Sequence, residues 1–141
     1  MRRLLRLPIL LILLTGATAP PAARHLAPLH YTIRFPDPAS KTFTVDIVVP
    51  TDKRPSVDLM MAIWSPGFYG VQNYAERVSG FSAQAADGTA LDVTKPSDSR
   101  WKVATGGRPM FTATYTVAAP RGSNLGNGVT ETSAVIIGPA T

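Results

Sequence analysis

The chain has 141 residues, room for one domain built on one core. Apolar residues make up 45% and charged residues 16%, which excludes a fully disordered chain, while 13 prolines and 11 glycines favour short strands and turns over long helices. The absence of cysteine excludes disulfide scaffolds, thiolate zinc sites and cysteine nucleophiles.

The formal charge of +5 is concentrated at the start, where Arg2, Arg3 and Arg6 precede the apolar run Leu7 to Leu14 and the small residues Gly16 to Ala19. Basic, apolar and small residues in that order predict a secretory signal peptide, and the run is too short to cross a ~30 Å hydrocarbon layer as a mature helix. Residues 1–23 are accordingly read as a signal-peptide helix and the start of a linker, residues 24–28 as linker, and residues 29–141 as the domain. The expectation is an exported protein, periplasmic or secreted, with no stable membrane anchor. Beyond the leader the basic residues are dispersed, with Lys53-Arg54 the only adjacent pair. Nucleic-acid binding needs a clustered phosphate-facing stripe, and none is present.

Tyr31, Ile33 and Phe35 alternate with Thr32 and Arg34, the period-two mark of a strand with one buried face, and Pro36-Asp37-Pro38 ends it. Phe43, Val45, Ile47 and Val49 alternate in the same way, so the two segments predict a hairpin. Val57 to Trp64 is apolar on both parities and predicts a strand buried on both faces or packed under a loop. Val71 to Val78 has the propensity for one or two helical turns, with Gly80 as terminator. Phe81, Ala83 and Ala85 lead to Asp87-Gly88, a two-residue hairpin signal, and Leu91 and Val93 continue beyond it. Trp101 and Val103 alternate before Gly106-Gly107, read as another hairpin turn. Phe111, Ala113, Tyr115 and Val117 form the cleanest strand, residues 120–130 a loop, and Ser133 to Ile137 a last strand. No internal repeat stands out. About seven short strands and one short helical turn predict an all-β antiparallel sandwich.

The catalytic inventory is thin. The only histidines are His25 and His30, and neither is followed by glutamate, so no HExxH zinc motif can be written. A metal held by His25, His30 and Asp37 would lack any fixed geometry, and two exposed histidines near a mobile terminus are the better reading. No serine lies in a G-x-S-x-G elbow. Asp46, Asp52 and Asp58 lie in or beside strands and are expected to face water. No catalytic, metal-binding or cofactor-binding residue is assigned, and the chain alone is read as not an enzyme.

Trp64-Ser65-Pro66-Gly67-Phe68-Tyr69-Gly70 is the segment that asks for an explanation. As a structural feature it is a stiff corner with Trp64 buried. As a functional one it docks a neighbouring domain or ligand through aromatic anchors, which dominate such contacts. The candidate docking residues are Trp64, Pro66, Gly67, Phe68, Tyr69 and Tyr74.

Here the sequence resembles a known family. WSPGFYGVQNYAERVSGFSA is similar to the signature of the N-terminal domain in the glycyl-aminopeptidase family, metallopeptidase family sixty-one. Trp64, Pro66, Gly67, Tyr69, Tyr74, Ala75, Val78 and Ala83 fill the positions of its Trp-x-Pro-Gly-x-Tyr segment, Tyr-Ala pair and following strand. His30-Tyr31, Asp87-Gly88, Trp101 and Tyr115-Thr116-Val117 continue in the family's order. Gln72-Asn73 departs from the more charged pair of the family.

The resemblance implies an all-β N-terminal domain packed on a thermolysin-like zinc catalytic domain, usually followed by a PDZ domain, in enzymes that remove N-terminal glycine or alanine. No zinc ligand carries over, so the chain is expected to hold only the accessory domain, truncated before the catalytic domain that would bind the zinc. Its expected partner is that catalytic domain, in cis or in trans, which it would dock on and whose cleft it would shape, with peptide reaching it only through that domain. The rival expectation is a stand-alone secreted sandwich that binds peptide or glycan through Trp64, Phe68 and Tyr69.

Overall fold

Strict alternation of apolar and polar side chains puts one face of each central strand in the core. The computed structural model describes residues 27–64, 67, 70–119 and 127–137; the expected signal-peptide helix and most of the linker lie outside the described residues. The strands are β1 (His30–Arg34), β2 (Thr42–Pro50), β3 (Ser56–Met60), β4 (Val78–Ala85), β5 (Val93–Ser97), β6 (Arg100–Ala104), β7 (Met110–Ala118), β8 (Gly128–Val129) and β9 (Ala134–Val135). A four-stranded sheet in the order β1-β2-β7-β4 faces a three-stranded sheet in the order β3-β6-β5, and β8 and β9 form a small hairpin. The protein is an antiparallel all-β sandwich, with nine described strands where the sequence pattern marks about seven.

The two long strands carry the core. β2 and β7 pair in the register Phe43↔Val117, Val45↔Tyr115, Ile47↔Ala113 and Val49↔Phe111, and all eight of these side chains are buried. Trp101 and Val103 on β6 and Ala83 and Ala85 on β4 close the core from the other strands. The expected β1–β2 hairpin forms. Its turn is a single 3-10 turn, Pro38–Ser40, whose Ala39 N–H donates to the Asp37 carboxylate at 3.0 Å.

One five-residue unit occurs twice at the corner between the sheets. Thr51-Asp52-Lys53-Arg54-Pro55 links β2 to β3, and Thr105-Gly106-Gly107-Arg108-Pro109 links β6 to β7. Each opens with a tight turn, closed by Arg54 N–H to Thr51 C=O and by Arg108 N–H to Thr105 C=O, both at 3.1 Å. Both central residues of each turn have positive φ, as a type I′ turn requires. The units clasp each other. Thr51 N–H donates to Pro109 C=O at 2.9 Å and Thr105 N–H to Pro55 C=O at 3.0 Å. The Thr51 hydroxyl donates to Arg108 C=O and the Thr105 hydroxyl to Arg54 C=O. Both threonines are buried. The β2–β7 ladder thus continues through the corner into the β3–β6 ladder, and the sandwich is one antiparallel ribbon folded on itself. A short near-repeat is therefore present after all, and Gly106-Gly107 makes a corner between sheets rather than a hairpin.

Three local expectations change. Val57 to Trp64 is not a strand buried on both faces: β3 stops at Met60, its Val57 and Leu59 face the core, and Asp58 and Met60 are exposed because the three-stranded sheet is covered on one face only. The expected helical segment is a single 3-10 turn, Tyr74–Arg77, and β4 runs straight on through Gly80. The Asp87-Gly88 turn has a three-residue loop: Gly88 N–H donates to Ala85 C=O at 2.9 Å, Gly88 adopts φ 82°, and Ala85 N–H donates to Thr89 C=O at 2.8 Å. The Thr89 N–H, 2.9 Å from the Asp87 carboxylate, holds that carboxyl below its ordinary range.

The corner yields two predictions. Thr105→Val keeps the shape but deletes the hydroxyl donor and should cost about 1 kcal/mol in denaturant unfolding. Lys53→Gly, which imitates the glycine pair of the second unit and relieves a left-handed non-glycine residue, should raise stability by about 0.5–1 kcal/mol in the same assay.

Candidate docking loop and inter-sheet cleft

The segment after β3 forms a loop with a fixed base. Met61 is buried, and its N–H donates to Ser99 C=O at 3.0 Å in the β5–β6 turn. Gln72 N–H donates to Ile63 C=O at 2.8 Å, which brings the ends of residues 64–71 together. Asn73 follows with φ 45°, and the left-handed residue turns the chain inward, so that Tyr74 and Ala75 enter the core. Ile63, Trp64 and Val71 remain exposed at the loop's two ends, Trp64 by 52%. A shallow cavity of about 260 Å³ lies beside them, lined by Ile63, Asn73, Ala75, Glu76 and Asp98 among others.

Of the residues singled out for docking, Trp64 lies on the surface, so the corner reading that buries it does not hold. Gly67 is also exposed, with φ 89° and open space where a Cβ would stand. Tyr74 is wholly buried and belongs to the core, where it anchors the loop rather than contacting a partner. Pro66, Phe68 and Tyr69 lie outside the described residues.

A second feature escaped sequence reading. An apolar cleft of about 220 Å³ opens between the two sheets, with Tyr31 and Ile47 on one side, Leu59 and Met60 on the other, and Phe81, Trp101 and Tyr115 along its lining. Phe81 stacks on Trp101 at 5.0 Å and on Tyr115 at 5.8 Å, with both ring pairs 11° from parallel, and Lys95 Nζ sits 5.3 Å from the Trp101 ring. This stack joins the sheets. It depends on a β-bulge: Ser79 pairs with Thr116 and Ser82 with Thr114, so Gly80 and Phe81 together oppose Tyr115. Gly80 takes φ 63°, and the extra residue reverses the parity of β4 so that Phe81, Ala83 and Ala85 share the core side with Val78. A glycine between Val78 and Phe81, three apart, is the sequence signal that could have revealed it.

Among the described residues the remaining polar side chains show no reactive grouping. His30 is exposed on edge strand β1, and His25 lies outside the described residues. Asp46 does not point freely into water: its side chain is only 13% exposed, it pairs with Arg34, and it accepts a hydrogen bond from the Thr114 hydroxyl at 2.7 Å. Among the described residues no three His, Cys, Asp or Glu side chains come together as a metal site would require.

Fold and surfaces together define an antiparallel β-sandwich with a tethered apolar loop. Residues 30–141 match the family described as the peptidase M61 N-terminal domain, and the chain belongs to that family. Among solved structures, an aminopeptidase N family protein from Idiomarina loihiensis superposes with a TM-score of 0.66 at 24% identity over 72% of this chain. That likeness is one of fold, and the match spans 17% of the other protein's length. No curated protein matches the chain significantly.

The cleft's phenol gives a pH prediction. Burial pushes the Tyr115 hydroxyl well above its ordinary pKa of 10.0, with the neighbouring Tyr31 adding to the effect. The folded state therefore holds its proton where the unfolded state has lost it. Its contribution to stability is full below about pH 10 and declines as pH rises past that value. Tyr115→Phe should flatten this alkaline decline in denaturant midpoints measured from pH 8 to 11.

Proposed function

We propose that this domain is the non-catalytic N-terminal accessory part of an exported glycyl-aminopeptidase-like metallopeptidase, and that it docks on the catalytic domain and helps shape the substrate cleft there. The observation that carries the docking reading is the exposure of Ile63, Trp64 and Val71 on a loop whose base is hydrogen-bonded and anchored by buried Met61 and Tyr74. A half-exposed tryptophan on a restrained base loses little entropy on binding, which suits a central interface anchor. Zinc, which the family resemblance implies, finds no group of three His, Cys, Asp or Glu side chains among the described residues and would belong to the catalytic domain. Export rests on the order of charge, apolar run and small residues in the leader.

The docking test mixes the purified chain with a separately expressed catalytic domain of the same family. At 100 times the dissociation constant the partner should add about 2.7 kcal/mol to the apparent stability. Trp64→Ala should leave folding intact and weaken the association by about 2 kcal/mol or more; no shift with the unaltered chain at saturating partner would refute docking. For export, a fusion of residues 1–28 to a periplasmic reporter should be processed and translocated, and replacing Leu10 and Leu11 by arginine should abolish this.

A further inference from the structure

The inter-sheet cleft holds a polar group that the fold leaves without a partner. Tyr115 is only 4% exposed, yet its hydroxyl makes no hydrogen bond to any described residue. Among the described residues, no side-chain nitrogen or oxygen that is sealed from solvent lacks a partner. The Tyr115 hydroxyl is therefore not sealed, and the cavity that Tyr115 lines is this cleft. Tyr31, on the same lining, stands close enough to oppose ionisation of Tyr115, which sets the two phenols near each other at the cleft. Buried hydroxyls are ordinarily hydrogen-bonded, so a phenol directed into an apolar cleft marks a place for a hydrogen-bonding guest.

We infer that the cleft is a binding site for a small, uncharged ring compound bearing one hydroxyl or carbonyl oxygen, with the ring between the sheets and the oxygen paired to the Tyr115 hydroxyl. Size, lining and charge each select one part of this ligand. The cleft measures about 220 Å³. An apolar cavity of roughly 150 Å³ takes up benzene, so the cleft has room for one ring with a substituent and none for a helix face. Ile47, Leu59, Phe81 and Trp101 give it an apolar lining, on which an aromatic ring gains edge or offset contacts beyond the area it buries. The charged groups nearby turn elsewhere. Asp58 stands opposite Lys102 on the outer face of β3, alternate to core-facing Leu59, and Arg34 pairs with Asp46. A carboxylate or ammonium entering the cleft would lose its water and meet no opposite charge, which excludes fatty acids and amines. The Tyr115 phenol keeps its proton at neutral pH, so it can donate to a carbonyl and either donate to or accept from a hydroxyl.

The test titrates para-cresol into the isotope-labelled full chain, followed by amide, methyl and indole NMR signals. Saturable shifts are expected at Leu59, Phe81 and the Trp101 indole. The analogue para-xylene, which replaces the hydroxyl with a methyl group, should bind about three- to tenfold more weakly. The charged analogue para-toluate should bind at least about tenfold more weakly than the cresol. Tyr115→Phe should erase the difference between cresol and xylene, leave xylene binding in place and preserve the dispersed spectrum of the folded chain. Equal binding of cresol and xylene by the unaltered chain, a difference that persists in the folded Tyr115→Phe variant, shifts confined to the Trp64 loop, or no saturable shift would each overturn the inference. The comparison of cresol with xylene uses the unaltered chain, so it decides the matter even if the variant does not fold. The catalytic domain takes no part in the assay, so failure here leaves the docking reading standing.

Discussion

Two threonine hydroxyls buried at one corner hold this sandwich in its folded shape. Thr51 and Thr105 each open a tight turn, and each hydroxyl donates to the carbonyl of the arginine that ends the other's turn. A ribbon that must bend from one sheet to the other exposes backbone groups at the bend, and leaving them unpaired in the interior is costly. The paired turns meet that demand with reciprocal hydrogen bonds. The second unit achieves its left-handed turn with two glycines, whereas the first places Asp52 and Lys53 in the same conformation.

The corner fixes how the two sheets face each other at one end, and the ring stack fixes it further along. Tyr115, Phe81 and Trp101 span the gap in near-parallel layers, with Lys95 over the last ring. Offset stacking of this kind contributes beyond the area it buries. The Gly80 bulge makes the stack possible, because without the extra residue Phe81 would project from the opposite face of β4. The cleft is what remains where the sheets diverge beyond the stack, at the side where β1 and β3 have no further neighbour strand.

The two surfaces differ in how they are built. Trp64 sits on a loop closed by one backbone hydrogen bond and rooted in the core by Met61 and Tyr74, an arrangement that presents a single aromatic anchor. The cleft instead is an apolar slot between the sheets, lined by Leu59, Phe81 and Trp101. Membership in the peptidase M61 N-terminal family gives the loop its proposed partner.

The sequence by itself determined the β class, the β1–β2 hairpin and the inward faces of β2 and β7, because period-two alternation is a local property that any half-buried strand must show. The aromatic loop was legible for the same reason: proline, glycine and aromatic residues cluster there whatever the tertiary context. Which of its aromatics face out was not legible, since Trp64 and Tyr74 have similar chemistry and only the left-handed Asn73 sends one of them inward. The apolar run from Val57 to Trp64 misled because a sheet in a two-layer sandwich has just one covered face, and its last residues leave the strand for the loop. The corner and the cleft were decided by tertiary structure alone. Both arise between segments distant along the chain, 51 and 57 residues apart at the corner, where no local pattern specifies that one turn will find its counterpart or that two sheet edges will lie side by side.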